Sequence, residues 1–89
     1  MLNLQAILAG ALIVVLSIAG TGFAAQVMTF TTEQDAQRHC PADNVVWLNL
    51  PTSIYHLKGE RWYGRTKHGA YVCEKEADQA GDRVSRNGQ

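Results

Sequence analysis

Gly69-Ala-Tyr-Val-Cys-Glu-Lys-Glu-Ala-Asp-Gln-Ala-Gly81 contains the change of period that decides the fold. Its first half, Ala70–Cys73, has the small, aromatic and β-branched composition of a short strand. Its second half is good helix material, with acids in the first turn where the helix dipole favours them, and Gly81 is the expected stop. Cys73, Ala77, Ala80 and Val84 fall at spacings of four, three and four, which predicts one buried helical stripe.

Working upstream, Lys67-His68-Gly69 reads as a turn and Arg61–Thr66 as a strand. Alternation in that strand puts Tyr63, Arg65 and Lys67 on one face and Trp62, Gly64 and Thr66 on the other. Lys58-Gly59-Glu60 is another turn, preceded by a short strand at Ser53–Leu57. Val45–Leu50 is the first strand, with Val46, Leu48 and Leu50 facing the core and Pro51 closing it. Trp47 and Trp62 are expected in the core, because a domain this small has few large apolar groups with which to fill it. Thr31 and Gln34 match a helix capping box, and Cys40-Pro41 ends the short helix that follows. The fold predicted is α+β: a small antiparallel sheet of three or four short strands crossed by a C-terminal helix.

The first 32 residues of the 89 carry no charged side chain. Ala6–Ala19 is strongly apolar and is followed by small residues, the pattern of an export signal with cleavage after Ala24. The n-region lacks the usual positive charge, and an uncleaved anchor over residues 2–20 is the competing reading. The domain plan is therefore a signal at 1–24, a tether and short helix at 25–38, a compact domain at 39–86 and a loose tail at 87–89. Both readings place the domain outside the cytoplasm, periplasmic or secreted if cleaved and membrane-anchored if not.

Cys40 and Cys73 are the only cysteines. An even count in an exported chain predicts a disulfide, and closing that loop is worth roughly 3–4 kcal/mol. A zinc site built from His39, Cys40, His56, His68 and Cys73 is disfavoured, since no Cys-x-x-Cys or His-x₃-His pair exists. No metal and no cofactor are expected. Catalytic signatures are missing as well: there is no phosphate loop, no nucleophile elbow and no histidine with a visible carboxylate partner.

The formal net charge is zero, but the charges are segregated. Tyr55–His68 is basic, with Lys58, Arg61, Arg65 and Lys67 against Glu60, whereas Glu74–Asp82 is acidic. These are either two solvated faces or a basic surface for an anionic partner. Aromatics are interleaved with the basic residues, so Tyr55, His56, Tyr63, Arg65 and Lys67 form the candidate binding face.

The motifs Val45-Val-Trp-Leu-Asn49, Ser53-Ile-Tyr-His56, Gly59-Glu-Arg-Trp-Tyr-Gly64, Thr66-Lys67 and Gly69-Ala-Tyr-Val-Cys-Glu74, with Ala80-Gly81, resemble those of a group of small exported bacterial proteins to which no activity is assigned. More distantly, the order of strands, Tyr-His and an Ala-x-x-Ala-Gly helix looks like the zinc-binding domain of Ada-type DNA repair proteins. The chain departs from that pattern where metal would be held, at Leu57–Trp62 and Arg83–Asn87, neither of which contains cysteine. The resemblance implies a shape and a location, and no methyl transfer.

The expected function is a non-catalytic exported module that binds a protein or an anionic envelope ligand. A nucleic-acid-associated domain using Tyr55, Tyr63, Arg65 and Lys67 is the alternative. Membrane contact is expected only through residues 2–20, if they are retained.

Overall fold

The computed structural model of the protein describes residues 26–88. The expected signal and its anchor alternative lie outside the described residues. Within them the order is α1 (Glu33–His39), β1 (Val45–Asn49), β2 (Ile54–His56), β3 (Gly69–Cys73), α2 (Glu74–Gln79) and β4 (Arg83–Val84). No helix among the described residues is long and apolar enough to cross a membrane.

The strands form one sheet in the order β3-β1-β2-β4. β1 pairs antiparallel with both β2 and β3, opposing Leu48 to Tyr55 and Val46 to Val72. β4 departs from the antiparallel expectation and runs parallel to β2. α2 carries the chain from one edge of the sheet to the other, so the last strand arrives in the direction of β3 and β2. The fold is α+β with a mixed sheet.

Both faces are covered. On one, Ala77 of α2 packs into Val46, Leu48, Tyr55 and Val72. On the other lie α1 and the segment 57–68, which is why Val45, Val46, Trp47 and Leu48 are all buried despite their alternation. Cys40 and Cys73 are bonded, tying the end of α1 to the junction of β3 and α2. α1 is capped by Thr32, whose hydroxyl accepts the Asp35 N–H, one residue later than the capping box predicted. The preceding segment is more than a tether: Phe30 exchanges two backbone hydrogen bonds with Tyr71 at the outer edge of β3.

The expected third strand at Arg61–Thr66 is absent. That stretch is a chain of tight turns, closed by hydrogen bonds from Glu60 N–H to Leu57 O, Tyr63 N–H to Glu60 O and Arg65 N–H to Trp62 O. Gly59 and Gly64 have φ of +95° and +73°, a region that favours glycine and breaks an extended run. Trp62 is consequently 37% exposed and lies outside the core. Leu50 and Val84 are exposed too, Leu50 because β1 ends at Asn49 and Val84 because α2 ends before it. Gly81, at φ +91°, stops α2 as predicted, and the Asp82 N–H returns to Ala77 O.

Candidate functional site

The turn segment 57–68 is held in one position by its own side chains. Tyr63 donates its hydroxyl to Glu33 Oε1 at 3.0 Å and packs edge-on against Tyr71. Thr66 accepts the Trp47 indole N–H at 2.7 Å, and the Leu50 N–H reaches His68 O. Glu60, the one acid of the basic stretch, accepts from the Leu57 N–H and from the Ser85 hydroxyl, which ties the segment to the chain after β4.

Between this segment, β2 and β4 lies a cleft of about 600 Å³. Arg65 and Lys67 line it from the turns, and Arg83 and Arg86 from β4 and beyond. Among the described residues, no carboxylate lines it. None of these four cations takes part in an ion pair among the described residues, where the pairs are Arg38–Asp35, His39–Glu76 and Lys58–Glu33. Trp62 is part of the wall, with the Arg61 guanidinium 4.9 Å from its ring centroid. His56 also lines the cleft; it is 93% buried, and its Nδ1 has no hydrogen-bond partner. A buried ring nitrogen without a partner carries a desolvation cost.

Three acids of α2 are engaged away from the cleft. Tyr55 donates toward Glu74 Oε2 at 3.1 Å and Asp78 Oδ1 at 2.7 Å under α2, and Glu76 meets His39. The acidic segment gathers around α2, and Arg65, Lys67, Arg83 and Arg86 stand at the cleft outside any ion pair among the described residues. A compact concavity with several positive charges, and with no carboxylate in its lining among the described residues, can hold an anion by charge and by directed N–H donors.

Of the residues expected to form a binding face, the fold brings together His56, Arg65 and Lys67. Tyr55 is a core residue and Tyr63 is half-buried against Glu33, so neither stands beside them. Trp62, Arg83 and Arg86 complete the cleft. The signal for the two arginines was the run Arg83-Val-Ser-Arg-Asn87, which carries two cations and no acid. Assigning Val84 to a helical stripe hid it.

Two tyrosines give the fold a pH signature. Burial, and then the carboxylates they bond, push the Tyr55 and Tyr63 phenols above their ordinary value of 10.0. Lys58 and then Tyr63 hold the Glu33 carboxyl below 4.5. A raised phenol pKa leaves its stabilisation intact below pH 10 and removes it as the unfolded chain ionises above that. The depressed Glu33 acts at the other end: its contribution is present above 4.5 and is lost as pH falls through the lowered value. Thermal melts across pH should show a plateau between these limits and a decline above pH 10. Tyr55→Phe should make the alkaline decline shallower, and an unchanged alkaline limb in that variant would contradict the assignment.

No protein-family model, curated protein or solved structure matches the chain.

Proposed function

We propose that the protein is a non-catalytic exported binding module whose ligand is anionic and sits in the cleft between β2, β4 and the 57–68 turns. The observation that carries this reading is the set of four cations, Arg65, Lys67, Arg83 and Arg86, that among the described residues are in no ion pair and surround a concavity lined by no carboxylate. Its volume is within the range of about 300–1,000 Å³ usual for small-ligand sites. The Cys40–Cys73 bond and the apolar, small-residue-terminated N-terminus support placement outside the cytoplasm. An anionic envelope component or an acidic segment of a protein partner meets the chemistry. A single-stranded nucleic acid is the second class, favoured by one observation: Trp62 stands exposed beside cations, the pairing that stacks and neutralises such a strand.

Trp62 is one of only two tryptophans, so its fluorescence reports occupancy. Titration at low salt with inorganic phosphate, a sulfated polysaccharide and a single-stranded oligonucleotide should give a saturable change with at least one of them. An Arg83→Ala/Arg86→Ala protein should bind that probe at least about tenfold more weakly, the loss of one or two charge-assisted contacts. An oligonucleotide response falling steeply between 50 and 200 mM salt would favour the nucleic-acid class through counterion release. No response to any of the three at low salt, or equal binding by the double variant, would remove the cleft from consideration.

A further inference from the structure

On the side of the sheet edge away from the cleft, His39, Cys40, Cys73 and Glu76 meet from two separate parts of the chain. His39 Nε2, Cys73 Sγ and a Glu76 carboxylate oxygen lie within 4.8 Å of one another, and Cys40 is bonded to Cys73. His39 Nε2 stands 2.7 Å from Glu76 Oε2. Each of these two side chains is oriented by a neighbour. The other Glu76 oxygen accepts the Met28 N–H at 3.4 Å, and Phe30 packs on the His39 ring with centroids 5.3 Å apart. His56 and His68 do not belong to the group.

We propose that reduction of the Cys40–Cys73 bond converts this corner into a zinc site with two thiolates, one imidazole and one carboxylate as ligands. Two thiolates and an imidazole are soft and borderline donors that select zinc over magnesium or calcium, which take oxygen. Zinc–ligand distances of about 2.0–2.3 Å place neighbouring ligand atoms about 3.3–3.8 Å apart in a tetrahedron. The donor atoms of His39, Cys73 and Glu76 already lie within 4.8 Å of one another, and Cys40 is joined to Cys73. The step balances as follows. A dithiol or phosphine supplies two electrons, itself being oxidised, and with two protons the disulfide becomes two thiols. Zinc then displaces both thiol protons as the Zn–S bonds form, and takes the place of the hydrogen bond between His39 Nε2 and Glu76 Oε2. With the disulfide intact neither sulfur is a thiolate, and only the part-exposed His39–Glu76 pair remains, which is too few ligands for a stable site. The Met28 N–H on the second Glu76 oxygen is the kind of outer hydrogen bond that ligating carboxylates ordinarily have.

The test uses the whole chain, oxidised and phosphine-reduced, titrated with Zn²⁺ against a chromophoric chelator and separately with Co²⁺. The reduced protein should bind one Zn²⁺ at least a hundred times more tightly than the oxidised form, and Co²⁺ should give a thiolate charge-transfer band with tetrahedral visible bands, as two thiolates are gained. His39→Ala and Glu76→Gln should each weaken zinc binding by at least about tenfold, the lower end for perturbing a ligand shell. Binding that is equal in the two redox states, or unmoved by both variants, would overturn the proposal. Should reduction unfold the chain, circular dichroism decides: Zn²⁺ is expected to restore the folded signal, and a reduced chain that stays unfolded at saturating Zn²⁺ would overturn it equally.

Discussion

Trp47→Ala should destabilise the domain by about 3–5 kcal/mol, the usual cost of deleting a buried large aromatic. For a chain with a total stability on the order of 5 kcal/mol, that leaves little or no folded population. The indole is 9% exposed, at the centre of the sheet face that α1 and the turns cover. Its ring meets Tyr71 edge-on with centroids 4.8 Å apart, and its N–H is consumed by Thr66. Gly69 lies directly against it, so closely that a Cβ there would fall 2.4 Å from the ring. Truncation would therefore open a cavity bounded by a residue with no side chain to fill it, and would release the Thr66 anchor of the 57–68 turns. Trp62→Ala, at a 37% exposed site, should cost less than about 1 kcal/mol while weakening the cleft. Urea denaturation of the two variants side by side makes the comparison. Equal losses would mean that Trp62 carries core packing after all.

That contrast shows where the sequence was legible. Val45–Leu48, Ala70–Cys73 and the helix stopped by Gly81 were readable because each has one dominant local signal: a run of apolar residues, or a helix former series with a glycine end. The disulfide followed from the even cysteine count and the export expected of the chain. Residues 61–66, between two correctly read turns, misled because alternation of large and small side chains is also what a succession of turns produces by chance. Gly59 and Gly64, five apart, were the signal of non-extended backbone there, and they outweighed the strand propensity of Trp62 and Tyr63. β4 was hidden for a different reason. A two-residue parallel pairing has no periodicity of its own, and it exists only because α2 delivers Arg83 and Val84 to the edge of β2. The cleft depends on both of those unreadable pieces. Its cations come from segments nearly twenty residues apart, and no spacing rule links Arg65 to Arg83. His56 was named from its neighbourhood in sequence and does line the cleft, but its buried, unpartnered Nδ1 is a property of the tertiary packing alone.

Replacing Cys40 and Cys73 together by alanine should lower stability by about 3–4 kcal/mol, as expected from releasing a loop of this length in the unfolded chain. The bonded residues are 33 apart in sequence, and the loop between them contains β1, β2 and the turns that form the cleft. In a domain of this size that loss corresponds to a fall in Tm of roughly 15–25 °C. The bond also does a local job. α1 has seven residues and buries a single apolar side chain, Ala36, so apolar burial from that helix is worth little by itself. Its other attachments, Tyr63 and Lys58 to Glu33 and Glu76 to His39, are polar and partly exposed contacts that contribute modestly. Without the covalent tie α1 should detach before the sheet melts, uncovering Val45 and Trp47. Hydrogen exchange on the double variant should therefore show amides of α1 exchanging faster than those of β1 and β3, whereas in the bonded protein they are protected together. A double variant within about 1 kcal/mol of the parent, or one whose α1 and β1 amides remain equally protected, would mean that packing alone holds the helix and that the disulfide is dispensable to this fold.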